Sequence, residues 1–238
     1  PAPESAAAAA THDHPTTLAL AEQVNPSAGY TLPVRLGDLG PRLVNAGAID
    51  LPRFVELYEG AGQPLNDEQL AILTRGSDAP VTITAQNAYF LLNFLWAFGL
   101  TNQNPILTDG PIMKYSEGQI ERFASTGGWT LGTKQPAELF ASAPLVVLTR
   151  EQQARVEEAA QLIYRPCCNN PTLFPDCNHG MAMLGLLELM AAQDVGTDEM
   201  LAAAKYVNAF WFPQQTLEVA AFFQANGGPD FAEIEPRQ

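Results

Sequence analysis

Basic residues are scarce in this sequence, and their scarcity excludes one class of partner. The 238 residues include 12 Lys and Arg against 26 Asp and Glu, which gives a net charge of -14. Only Lys114, Lys134 and Lys205 are lysines, and no run of Lys or Arg occurs. Proteins that bind nucleic acids neutralise phosphates with clustered cations, so we expect no nucleic acid partner. Anionic membrane surfaces are disfavoured for the same reason.

Long hydrophobic runs are also missing. The longest apolar run extends from Ala88 to Leu100 and is interrupted by Asn93. A membrane-spanning helix needs about 20 apolar residues, so this run predicts a core helix and no membrane span. The first residues, PAPESAAAAATHDHPTT, have neither a basic leader nor an apolar signal core. Their composition is typical of a linker tether behind a removed signal peptide or a lipid anchor, which predicts an extracytoplasmic protein, periplasmic or at the cell surface.

Several patterns typical of catalysis do not occur. The sequence has no G-x-S-x-G elbow and only three histidines, so a Ser/His/Asp set has no support. It also has no CxxC pair of the zinc-ribbon or thioredoxin kind and no C-x-x-C-H haem motif. We therefore lean towards a protein that is not an enzyme.

Helix signals dominate the rest of the chain. Hydrophobic residues make up 47% and charged residues 16%, a composition typical of a folded domain. Asp50, Asn66 and Thr149 each stand in a helix N-cap context. These signals predict a mostly α fold, an irregular orthogonal helical bundle with long loops. One short β-hairpin is allowed, in the 30s or around 129–147.

The domain organisation follows from changes in composition. Residues 1–30 have few large apolar side chains and predict an N-terminal arm or linker, with at most one ordered piece around Leu18–Val24. Residues 31–238 predict a single helical domain, with 135–148 as the place for any subdivision. The segment 101–135 is rich in Gly, Asn, Ser and Thr and predicts a long loop packed near a site.

All three cysteines lie within eleven residues, in the segment YRPCCNNPTLFPDCNHGMAM. Cys167 and Cys168 are adjacent, Cys177 follows after eight residues, and His179 stands two positions later. The prolines and asparagines between them favour tight turns that hold side chains in fixed positions. Such clustering indicates joint use of the four side chains and makes this segment the candidate functional centre.

Thiolates beside an imidazole indicate a soft metal ion. Cys177 precedes a helix predicted for residues 180–193, which Asp176 or Asn178 is expected to cap. The N-terminus of this helix, together with Arg165, is expected to favour thiolate over thiol. Zinc accepts a Cys₃His set, and copper(I) prefers thiolate, thioether and imidazole donors. Met181 and Met183 are candidate auxiliary donors that would favour copper(I), although ordinary packing on an apolar helix is the more usual role of such methionines. An iron-sulfur cluster is a less favoured cofactor.

Two other interpretations of the same cysteines stay open. In a thiol-disulfide redox protein or sensor, Cys177 would be the attacking thiol of low pKa and Cys168 the resolving one. In a non-catalytic interaction module, a disulfide from Cys168 to Cys177 would only staple the loop and leave Cys167 unpaired. His12 and His14 are candidates for a second metal contact within the arm, although histidines in such an arm are more often incidental.

Overall fold

The computed structural model describes residues 17–234, so residues 1–16 of the predicted arm, with His12 and His14, lie outside the described residues. The helices are α1 (Thr17–Val24), α2 (Leu39–Ala46), α3 (Leu51–Gly60), α4 (Asp67–Thr74), α5 (Ala88–Thr101), α6 (Pro105–Thr108), α7 (Pro111–Ser116), α8 (Ala124–Gly127), α9 (Pro136–Leu139), α10 (Arg150–Leu162), α11 (Asn178–Ala192), α12 (Thr197–Trp211) and α13 (Pro213–Ala225). Short 3-10 turns cover Ile120–Arg122 and Phe231–Glu233. Over this range no helix is both long and apolar enough to span a membrane.

A two-stranded antiparallel sheet accompanies the helices. Strand β1 (Tyr30–Gly37) pairs with β2 (Ser77–Ile83), with Tyr30 opposite Ile83. The mostly α prediction is confirmed, and β1 provides the strand foreseen in the 30s. Its partner strand, β2, follows α2, α3 and α4 in the sequence. Alternate side chains of β1 are buried, as expected when one face of a strand covers a core.

The expected helix starts at residues 50, 66 and 149 are confirmed by side-chain hydrogen bonds. The carboxylate of Asp50 accepts from the backbone N–H of Arg53 at 3.3 Å. Asn66 and Thr149 each form a reciprocal capping box with the glutamine three residues later. These contacts satisfy N–H groups that have no partner inside the helix, so each start is fixed locally.

Helices α5 and α11 form the centre of the fold. Helix α5 is buried nearly all round, as its sequence predicts, and α11 is buried from Gly180 to Ala191. The two backbones approach closely where Gly99 faces Gly185. A methyl group at position 185 would lie 2.7 Å from the carbonyl oxygen of Leu95. This contact fixes α11 against the core and thereby positions the loop that precedes it.

The segment predicted as one long loop is divided into α6, α7, the 3-10 turn at 120–122 and α8. This segment packs against the rest of the fold through Trp129, which is buried and donates its indole N–H to the carbonyl of Ala48 at 2.8 Å. The backbone N–H of Ser125 donates to the carbonyl of Asp176 at 3.1 Å. The segment therefore supports the cysteine loop from one side.

Candidate metal centre

The three cysteines lie on the loop that joins α10 to α11. The middle of this loop is tied to the end of α10, because Thr172 donates its backbone N–H and its hydroxyl to the carbonyl of Ile163 at 2.8 and 3.0 Å. Helix α11 begins at Asn178 with Cys177 as its N-cap. We expected Asp176 or Asn178 to be the cap, but the side chain of Asp176 is engaged inside the loop.

The buried side chain of Arg165 cross-links the loop from within. Its Nε donates to the carbonyl of Asn170 at 3.1 Å, and Nη2 donates to the carbonyl of Phe174 and to Oδ1 of Asp176, both at 2.9 Å. Its Nη1 donates to Sγ of Cys177 at 3.2 Å. One cation therefore holds both ends of the cysteine segment and contacts one of the sulfurs.

Gly180 and Asn170 complete this arrangement. A methyl group at position 180 would collide with Nη1 of Arg165 and lie 2.7 Å from its Cζ, so glycine leaves the room that the guanidinium occupies. The amide of Asn170 donates to the second carboxylate oxygen of Asp176 at 2.8 Å. The sequence places Arg165 near the cysteines, but nothing in the order Arg-Pro-Cys-Cys shows that its side chain turns inward.

The sulfur atoms converge as the spacing predicts. Sγ of Cys167 lies 3.4 Å from Sγ of Cys168 and 3.7 Å from Sγ of Cys177, and all three thiols are free. One ring nitrogen of His179 and the sulfurs of Cys167 and Cys177 lie within 4.8 Å of one another. Sulfur atoms on one tetrahedral zinc ion stand about 3.8 Å apart, given bonds of about 2.3 Å. The pair Cys167 and Cys177 therefore fits a shared ion.

A second group of ligand atoms overlaps the first. Cys168, Asp176 and Cys177 also offer atoms that lie within 4.8 Å of one another. Asp176 is a candidate ligand that the sequence reasoning missed, because a carboxylate before a helix was explained as a cap. Its position directly before Cys177 is the signal that could have found it.

His179 is held in the form that coordinates metals. Its half-buried ring packs against Phe212, with centroids 4.4 Å apart, and against Trp211 at 5.7 Å. Burial, and then the positive charge of Arg165, lower the pKa of His179 to about 4. The imidazole is therefore neutral near pH 7, so no proton has to leave it before a metal ion binds.

The thiols differ from the expectation. Burial raises the pKa of Cys177, although Arg165 and the backbone N–H of Gly180 act in the opposite direction. Burial, together with the other two sulfurs, also raises the pKa of Cys167. The expected low pKa of Cys177 is therefore wrong, because removal from water outweighs the cation and the helix start. A metal ion at these sulfurs has to displace protons.

The two methionines lie deeper than the cysteines. Met181 and Met183 are fully buried in the main hydrophobic core. The carbonyl of Met181 packs against Gly99 of α5. Packing therefore accounts for both residues, and their part as auxiliary donors stays a prediction.

The site thus combines three convergent sulfurs, one neutral imidazole and one carboxylate around a buried arginine. Such a donor set suits a soft or borderline metal ion. Comparisons with family models, with curated proteins and with solved structures found no match to this chain.

Proposed function

We propose that the protein binds one soft metal ion, copper(I) or zinc, through Cys167, Cys177 and His179, and that it captures and transfers this ion. The observation that carries the proposal is the approach of these three ligand atoms to within 4.8 Å of one another. Cys167 and Cys168 are exposed, so the ion would face solvent on one side. A three-ligand site with an open position suits capture and transfer better than storage.

The donors accommodate both ions. Two thiolates and a neutral imidazole are good ligands for copper(I) and for zinc, and a thioether from Met181 or Met183 would favour copper(I). An iron-sulfur cluster is less favoured at this site. The extracytoplasmic location proposed from the composition of the first residues is compatible with either ion.

The two other interpretations have less support. A thiol oxidoreductase needs an attacking thiol that ionises readily, whereas burial raises the pKa of Cys177. In the interaction module, a disulfide would be needed to hold this loop together. Arg165 already holds it through hydrogen bonds, and the three thiols are free.

Metal titration tests the proposal. We expect protein purified under reducing conditions to bind one copper(I) or zinc ion per chain against a colorimetric chelator, with the thiols masked from a thiol reagent. Cys177→Ser and His179→Phe should each weaken binding by about 100-fold or more, because the loss of a residue that only supports a ligand already costs about 10–100-fold. Phenylalanine keeps the ring contacts of His179, so this variant tests the nitrogen ligand rather than packing.

Met200→Leu is the matched control, because Met200 is a buried methionine on α12, outside the cysteine loop. It should bind metal like the wild type. The absence of stoichiometric metal together with one rapidly reacting thiol would favour the redox protein. An inert disulfide without metal would favour the interaction module.

A further inference from the structure

The cysteine loop contains two ligand groups that share one sulfur. We name Cys167, Cys177 and His179 the inner group, and Cys168, Asp176 and Cys177 the outer group. In each group the ligand atoms lie within 4.8 Å of one another, and Sγ of Cys177 belongs to both. An ion could therefore pass from one group to the other while it stays bound to Cys177.

The donors of the two groups differ in strength. The inner group offers two sulfurs and an imidazole nitrogen, which soft and borderline ions prefer. The outer group includes the carboxylate of Asp176, a hard oxygen donor that already accepts from Arg165 at 2.9 Å and from Asn170 at 2.8 Å. The outer group should therefore hold a soft ion more weakly than the inner group.

Distances also separate Cys168 from the inner group. Its sulfur lies 3.4 Å from that of Cys167, yet Cys168 is not part of the group of ligand atoms that Cys167 and Cys177 form with His179. The sulfurs of Cys167 and Cys177, at 3.7 Å, match the separation of about 3.8 Å that two sulfurs take on one tetrahedral ion. Cys168 is exposed, as Cys167 is, whereas Cys177, the sulfur that both groups share, is partly buried. Cys168 is thus placed at the solvent side of the cluster.

We propose that Cys168 is the receiving ligand of the site, which binds the incoming ion with Cys177 before the ion moves to the inner group. This inference rests on the proposed function. In the first step, bonds from the ion to Cys168 and Cys177 form, the donor's ligands leave, and the two thiols release their protons to solvent. In the second step, bonds to Cys167 and His179 form, Cys167 releases its proton, and the Cys168 thiolate leaves and is reprotonated. The ion keeps its oxidation state throughout, and release follows the reverse order.

The exchange of Cys168 for serine tests the proposal, with Cys167→Ser as its matched control. Copper(I) supplied as its glutathione complex, and zinc bound to a chromophoric chelator, serve as the donors. We expect Cys168→Ser to bind one ion with unchanged affinity but to take it up about tenfold more slowly. Cys167→Ser should instead lose affinity by about 100-fold or more, since it removes a ligand and not only a residue that supports one.

Two results would overturn the proposal while leaving the proposed function intact. These are a loss of affinity in Cys168→Ser as large as that in Cys167→Ser, or uptake by Cys168→Ser at the wild-type rate. X-ray absorption of the loaded wild type gives a check without any variant: two sulfurs and one nitrogen at the ion agree with the proposal, and three sulfurs contradict it. A wild type that binds neither ion would end the proposed function itself.

Discussion

Arg165 is the residue on which the cysteine loop depends most. A buried cation loses its hydration, and this loss is offset only if hydrogen bonds and an opposite charge replace the water. Its guanidinium contacts the carbonyls of Asn170 and Phe174, the carboxylate of Asp176 and the sulfur of Cys177. Removing it would leave the Asp176 carboxylate without its cation, and the carbonyls of Asn170 and Phe174 with a backbone donor only.

We predict that Arg165→Met lowers the free energy of unfolding by about 3 kcal/mol, because it breaks a buried ion pair and leaves Asp176 without its cation. Metal affinity should fall in the same variant, since the sulfurs lose their fixed positions. Urea unfolding and metal titration measure the two effects.

Arg155→Met is the matched control for this prediction. Arg155 pairs with Asp194, whose side chain is 79% exposed, and such ion pairs contribute little to stability. An Arg165→Met variant as stable as the control would show that the loop does not depend on the guanidinium.

At the scale of single helices, much of the fold could be predicted because its signals are local. Asp50, Asn66 and Thr149 act as caps within three residues of their own position, so a short window of sequence contains the whole interaction. Strand β1 pairs with residues that lie 40 or more positions later in the sequence, and no local sequence pattern encodes such a pairing. The short helices between 105 and 127 are set by packing, for which the sequence offers weak signals.

The site could be predicted to a similar extent. Spacing alone indicated that Cys167, Cys168, Cys177 and His179 come together. It could not show the inward turn of Arg165 or the burial that raises thiol pKa values, because both depend on the surrounding helices. Electrostatic reasoning from neighbours in sequence therefore gave the wrong direction for Cys177.

The contact between α5 and α11 supplies a prediction for these two helices. Gly185→Ala and Gly99→Ala would each place a methyl group against the opposite backbone. Overpacking should cost about 1–3 kcal/mol, more than alanine gains over glycine within a helix. Thermal unfolding should show a lower midpoint in both variants.

Gly60→Ala provides the control, because a methyl group at this position on α3 meets open space. That variant should be as stable as the wild type or slightly more stable. If the Gly99 and Gly185 variants were as stable as Gly60→Ala, α5 and α11 would have room for a methyl group between them, and the prediction would be wrong.

Across the whole molecule, Glu188 joins three parts of the chain. It is fully buried on α11, and its Oε2 accepts from the amide of Asn102 at 2.8 Å. Asn102 in turn accepts the backbone N–H of Val146 at 2.8 Å, and the side chain of Asn104 also interacts with the Glu188 carboxylate. Burial raises the pKa of Glu188 well above its ordinary value.

This raised pKa predicts how global stability changes with pH. The folded chain holds the Glu188 proton more tightly than the unfolded chain. The stability that this difference contributes is therefore complete below the unfolded pKa of about 4.3 and is lost as pH rises above it. We expect Glu188→Gln to become progressively more stable than the wild type between pH 4.5 and 7.5. Glu151 is exposed, so Glu151→Gln should show the same dependence of unfolding free energy on pH as the wild type. If the curve of Glu188→Gln also ran parallel to that of the wild type, the prediction would be wrong.

Because Arg165 cross-links the cysteine loop, the shape of the loop does not depend on the redox conditions around the protein. A loop braced by a disulfide opens when the surroundings become reducing, and its sulfurs are consumed by the brace. Hydrogen bonds from a guanidinium are indifferent to redox potential, and they leave all the sulfurs as thiols. The same loop shape can therefore persist on either side of a cell membrane, and only the oxidation of its thiols would distinguish the two compartments.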